Sequence, residues 1–138
     1  MEEKAMRFGE YIRKKRLSDP RELTMQDVGN HLGISTQYVS EIEKGRRKPL
    51  NGERLERLAS FLRLSEEDSA TMYDLASREN HEVPYDIENT LMGEEVGDLV
   101  RFALRQSKAG FIFEDDWKEL ICKAKKRKSK AQEDGDDD

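Results

Sequence analysis

Residues 24–45 read TMQDVGNHLGISTQYVSEIEKG. Two short apolar-periodic stretches, Met25–Val28–Leu32 and Val39–Ile42, flank Gly33. Each opens on a hydroxyl residue, Thr24 or Ser35, able to accept a hydrogen bond from the first turn of a helix. Asp27 stands three positions after Thr24 as a short-armed capping-box partner. Val28 and Leu32 share a face at i,i+4 spacing, and Val39 and Ile42 do so at i,i+3. Gly33 falls where the first helix must end with positive φ, which costs glycine little. Ile34 then plugs the corner from inside. The pattern predicts two helices joined by a tight turn, the second ending at Gly45.

Outward from this core, the spacing predicts a helix over about 4–17, with Ala5, Phe8 and Ile12 on one stripe. The loop SDPREL follows. After Gly45, Pro49 cannot continue a helix. A fourth helix is expected over about 51–63, turning Leu55, Leu58, Ala59 and Leu62 inward. Ser65 and Asp68 mark the start of a fifth, about 66–78, burying Met72, Leu75 and Ala76. The fold class is therefore all-α, with a compact five-helix domain over residues 1–78. Residues 79–86, ENHEVPYD, read as a linker because Val-Pro disfavours helix. Residues 87–128 read as a small helical C-terminal extension, with stripes at Val96–Leu104 and Trp117–Ala124 joined by the apolar segment 109–113. Such short amphipathic helices must pack on the first domain, on each other or on a second copy. Residues 129–138 read as a disordered acidic tail.

The net charge of −5 is unevenly spread. Residues 1–63 hold 14 Lys/Arg against 10 Asp/Glu, and residues 64–138 hold 11 against 20. A net positive half containing the helix pair suits phosphate contact, and an acidic remainder suits a segment that stays off nucleic acid. No apolar run is long enough to span a membrane. The charged start MEEKAMRF lacks a signal-peptide apolar region. One cysteine permits no internal disulfide. These features lead to the expectation of a cytoplasmic, nucleoid-associated protein.

The outer face of the second helix of the pair is polar. Thr36 and Gln37 open it, and Ser40 and Glu41 lie one turn on. Such residues supply the donors, acceptors and methyl groups that base edges in the major groove match. Glu41 reads two ways, as an acceptor for a cytosine amine or as a charge that excludes wrong sequences. Ser40 reaches either a base or a phosphate. Lys44, Arg46, Arg47 and Lys48 form a basic turn at the helix exit suited to phosphates, with Thr24 as a further phosphate candidate.

Four groups of residues carry a family resemblance: Ile12-Arg13-x-x-Arg16, Leu23-Thr24, Val28-Gly29-x-x-Leu32-Gly33-Ile34-Ser35 and Ile42-Glu43-x-Gly45-Arg46-x-x-Pro49. Through them residues 8–62 resemble the Xre/Cro/lambda-repressor-like helix-turn-helix regulators. The resemblance implies a bundle of four to five helices binding operator DNA, usually as a dimer. It implies a structural salt bridge between Arg16 and Glu43, and a Tyr38 hydroxyl on a backbone phosphate. Many relatives carry Gln directly after the hydroxyl cap of the first motif helix. Here that position is Met25, and Gln26 follows.

Other chemistry finds no constellation. His31 and His81 have no partner at ligand spacing, so no metal or other cofactor is expected. There is no nucleophile motif or phosphate-cradling loop, and no enzymatic activity is expected. Cys122 stands off the Trp117 stripe. Lys123–Lys130 reads as the solvated end of the last helix, as added non-specific DNA affinity or as a localisation signal. The functional expectation is a repressor that binds a near-palindromic operator as a homodimer through residues 35–44. The alternative is an antitoxin that holds a toxin through residues 84–122 and represses its own operon. A third reading is a regulator cleaved by a dedicated protease at the 79–86 linker.

Overall fold

The computed structural model describes residues 6–135. Among them it forms eight helices and no strand: α1 (Phe8–Ser18), α2 (Met25–Leu32), α3 (Thr36–Glu43), α4 (Gly52–Phe61), α5 (Glu66–Asn80), α6 (Tyr85–Met92), α7 (Val96–Ala109) and α8 (Glu114–Gly135). The chain divides into two units after Asn89, inside α6.

The first unit holds every buried apolar side chain among the described residues. Phe8, Ile12, Val28, Leu32, Leu58 and Met72 form its centre. Their spacing follows the helical period, so each helix turns one stripe inward. Met25 and Ile34 pack on this core as half-buried residues. Capping sets the registers. Thr24 Oγ1 accepts from the Asp27 amide at 3.0 Å, and the Asp27 carboxylate accepts from the Thr24 amide at 2.8 Å. Ser35 and Ser65 cap α3 and α5 in the same way, accepting from the amides of Tyr38 and Asp68. Across the unit, Tyr11 donates to the Asp68 carbonyl and Lys15 pairs with the Asp68 carboxylate at 2.8 Å, locking α1 to α5.

One contact decides how closely α1 approaches α3. A Cβ on Gly9 would stand 2.2 Å from the Ile42 carbonyl oxygen and 2.8 Å from that of Glu43. Only glycine lets the first turn of α1 lie on the end of α3.

Three boundaries differ from the sequence expectation. The first helix begins at Phe8 after an extended Arg7, not at residue 4; Ala5 and residues 1–4 lie outside the described residues. The expected linker 79–86 is helical over half its length. Only residues 81–84 break the chain, because α5 runs to Asn80 and α6 starts directly after Pro84. Proline suits the position before a helix because its φ is already helical and its missing N–H has no partner to lose. The expected acidic tail is also helical as far as Gly135. Lys130, Ala131, Gln132 and Glu133 form the middle of that stretch, and all favour helix when no proline or glycine interrupts. Residues 136–138 of the expected tail lie outside the described residues. The cations of 123–130 thus stand in mid-helix rather than at its end.

The second unit is thinly held. Arg101 donates to the carbonyls of Leu91 and Gly93 and pairs with Asp98. The Trp117 indole N–H donates to the Ser107 hydroxyl at 3.2 Å, tying α8 to α7. Asp116 accepts from the Phe113 amide at the start of α8.

Two substitutions probe the first unit's backbone. We expect Gly9→Ala to lower stability by about 1–3 kcal/mol, as inserted volume does in a close-packed interior. Arg63 sits just past α4 at φ 52°, with its amide on the Ser60 carbonyl and the Leu64 amide on that of Ala59. Arg63→Gly should therefore raise stability by roughly 0.5–1 kcal/mol, because it relieves left-handed strain. Denaturant unfolding of both variants measures each effect.

Candidate nucleic-acid interface

The fold places α3 on the surface by three fixed points. Val39 and Ile42 anchor it in the core. Ser35 caps its start, and a buried ion pair holds its end. Arg16 Nε and Nη2 donate to the two Glu43 carboxylate oxygens at 2.8 and 2.9 Å, and Nη1 donates to the Leu23 carbonyl at 3.1 Å. Both residues are more than nine-tenths buried. The Glu43 hydrogen bonds raise the Arg16 pKa further above its ordinary value, although burial opposes this. One guanidinium thus joins α1, the end of α3 and the loop before α2.

Past Glu43 the chain closes with a left-handed residue. Gly45 has φ 76°; its amide donates to the Ile42 carbonyl, and the Arg46 amide donates to that of Glu41. This is the double hydrogen-bonded helix stop that glycine favours. It turns the basic segment back beside α3. Lys44, Arg46, Arg47 and Lys48 are all exposed, while Pro49 and Leu50 re-enter the core. Asn80 donates to the Pro49 carbonyl at 3.4 Å, holding the far end of the turn to α5.

Thr36 and Gln37 are exposed at the first turn of α3, and Ser40 and Glu41 are half-buried one turn on. Glu41 has a partner that its sequence position does not reveal. Its carboxylate pairs with Arg47, whose guanidinium lies 4.4 Å from the centre of the Tyr38 ring. The Arg47 hydrogen bond is the main reason the Glu41 carboxyl sits below its ordinary pKa, with smaller contributions from Gln37 and Arg46. Tyr38, Glu41 and Arg47 therefore form one cluster between the polar turn and the basic turn. Thr24 is exposed at the start of α2, with its oxygen already engaged as a cap. Met25 is half-buried and turned to the core, and exposed Gln26 is the polar residue beside Thr24.

Arg7 escaped the sequence reading. Its guanidinium pairs with Glu79 at 2.8 Å and lies 3.2 Å from where a Gly45 Cβ would stand. It adds a cation at the basic turn from a residue distant in sequence. A second surface cluster brings Asp19, Arg21 and Phe61 together. Arg21 pairs with Asp19 at 2.7 Å, donates to the Phe61 carbonyl and lies over the Phe61 ring, while His31 stacks on that ring at 4.4 Å.

Among the described residues, no cluster of His, Cys, Asp and Glu could hold a metal ion. No described helix is long and apolar enough to cross a membrane. Residues 12–69 match a family model described as helix-turn-helix. Neither a curated protein nor a solved structure matches the chain.

The ion pair and the Asp19 cluster make separate expectations. Arg16→Ala or Glu43→Ala should each cost about 3–5 kcal/mol of stability, because each strands a buried charge. The double replacement Arg16→Met with Glu43→Leu should cost less than either. Urea titration of the three variants checks this. The Asp19 carboxyl is lowered to about 2, first by its side-chain hydrogen bond with Arg21 and next by the Arg21 backbone N–H. A carboxylate whose pKa is lower in the folded state stabilises above its unfolded value and loses that contribution as pH falls through the folded one. Asp19→Asn should therefore be less stable than the parent above pH about 4 and converge with it near pH 2. Unfolding midpoints across this range test the expectation.

Proposed function

We propose, from the helix-turn-helix family model that residues 12–69 match, that the chain is a DNA-binding transcriptional regulator, and within that class a repressor that reads a near-palindromic operator as a homodimer. The observation that carries this reading is the surface of α3. An exposed polar turn, Thr36 and Gln37, stands beside an exposed basic turn, Lys44 and Arg46–Lys48. The first suits base edges in the major groove and the second suits the flanking phosphates.

In this proposal Gln37 bonds an adenine edge, the Thr36 methyl meets thymine, and Ser40 bonds a base or phosphate lower in the groove. Lys44, Arg46, Lys48 and Thr24 contact phosphates. Glu41 acts on DNA through Arg47. Its carboxylate orients that guanidinium against Tyr38 and moderates the local positive charge, instead of accepting from a cytosine. Two such α3 helices in successive major grooves would stand about 34 Å apart. Bound over a promoter, the dimer blocks transcription by occlusion.

The antitoxin reading keeps the same DNA contacts and adds a toxin on residues 84–122. The exposed apolar side chains Ile87, Leu99 and Phe102 in that span favour it. Co-purification of the product of a neighbouring toxin gene would select it over a free-standing repressor.

Selection of bound sequences from random DNA by the purified chain should enrich a palindrome; failure to enrich any sequence would sink the proposal. On the selected site, Gln37→Ala should cost roughly 1–3 kcal/mol with little change on random DNA. Arg46→Ala should weaken both and reduce the slope of log affinity against log salt by about 1.8, since the dimer loses one phosphate contact in each copy. Glu41→Gln releases Arg47 and should raise affinity for random DNA severalfold while steepening that slope.

A further inference from the structure

We propose that α8 pairs antiparallel with α8 of a second copy, about a two-fold axis near Leu120 and Ile121, and that this pairing makes the dimer. The inference rests on the operator-binding reading above and assigns the surface that reading lacks.

Three observations carry it. First, no apolar side chain from Thr90 to Gly135 is buried. Phe102 is 63% exposed, Leu120 58% and Ile121 53%. A pair of helices with no core of its own cannot offset the entropy of ordering its chain, so oligomerisation is the usual remedy. Second, Trp117, Leu120, Ile121 and Ala124 form one stripe at i, i+3, i+4, i+7; half-buried Trp117 is engaged with Ser107 of α7, and the exposed remainder, Leu120, Ile121 and Ala124, is the seam left for a partner helix.

Third, the charge along α8 is split into blocks that complement each other only in one direction. Glu114, Asp115 and Asp116 occupy its first turn, while Lys125, Lys126 and Arg127 follow the stripe. A parallel pair would set acid on acid and base on base. In an antiparallel pair, residues whose numbers sum to about 241 face one another, as a two-fold contact requires. That register sets Glu114, Asp115 and Asp116 of each chain opposite Arg127, Lys126 and Lys125 of the other, three opposite-charge facings against one like-charge facing of Lys118 with Lys123. The continuation of α8 to Gly135 keeps this basic segment helical. A surface whose two halves complement each other is fitted to a second copy; a foreign partner needs no such pattern.

The full chain is tested by sedimentation and by cross-linking. The parent should sediment as a dimer and Ile121→Asp as a monomer, with the thermal transition of the first unit unchanged. The pair Lys125→Glu and Arg127→Glu should weaken the dimer about tenfold at low salt, and adding Glu114→Lys and Asp116→Lys should restore it. With Cys122→Ser as background, Ile121→Cys should form a disulfide-linked dimer. Ala131→Cys should not, because the two copies of residue 131 lie roughly 30 Å apart along the axis at 1.5 Å of rise per residue. A disulfide at 131 would overturn the antiparallel arrangement. A dimer that survives Ile121→Asp would overturn this surface but leave the operator reading standing. A parent that is monomeric both alone and on selected DNA would overturn the dimer reading itself. A parent that pairs only with a co-expressed toxin would overturn this surface in favour of the antitoxin.

Discussion

The buried pairing of Arg16 with Glu43 is the constraint on which the first unit depends. Two charges withdrawn from water are costly, and their attraction repays that cost only with good geometry and every polar group satisfied. Here the carboxylate receives two parallel N–H bonds and the guanidinium spends a third donor on the Leu23 carbonyl. Arginine is suited to this by its planar fork; lysine would supply a single point charge. The pair fixes the end of α3 relative to α1, and the Gly9 contact brings the same two elements together through backbone. Apolar burial alone would hold α3 in the core but would leave it free to rotate by part of a turn. Directional hydrogen bonds remove that freedom and so settle which side chains face out.

The outward surface is organised by a second, weaker set of interactions. Tyr38, Glu41 and Arg47 draw the basic turn against the side of α3. Tyr38 and Glu41 are half-buried and Arg47 is exposed at the surface, where solvent screening keeps the contribution of such contacts to stability small. Their consequence is positional, because they bring cations from the loop to the helix whose first turn is polar. Arg7 extends that positive edge from the other end of the unit's sequence. The charge split of the chain therefore has a local counterpart: four cations within five residues, Lys44 and Arg46–Lys48, stand at the exit of α3.

The second unit obeys different physics. It is ordered by helix propensity, caps and i,i+4 pairs such as Lys118 with Glu114, not by a core. Its apolar stripes remain on the surface. A fold of this kind has lasting structure only insofar as something covers those stripes, which ties its stability to assembly.

Much of the first unit was legible in the sequence because its signals are local. Thr24, Gly33, Ser35 and Gly45 act on residues within one turn of themselves, and the apolar period identifies Val28, Leu32, Val39 and Ile42 without knowledge of what they touch. The acidic composition of residues 129–135 points to disorder, whereas the helix propensity of Lys130–Glu133 continues α8 through them. Pro84 misleads too, because proline ends one helix and starts the next with equal ease. The partner of Glu41, the approach of Arg7 to Gly45 and the need for glycine at position 9 were not legible. Each joins residues whose proximity is created by packing. The sequence by itself determined the helices, their caps and the polar character of α3. Only the tertiary structure decided which charge meets which, because ion pairs between separate elements depend on the angle and depth at which those elements pack.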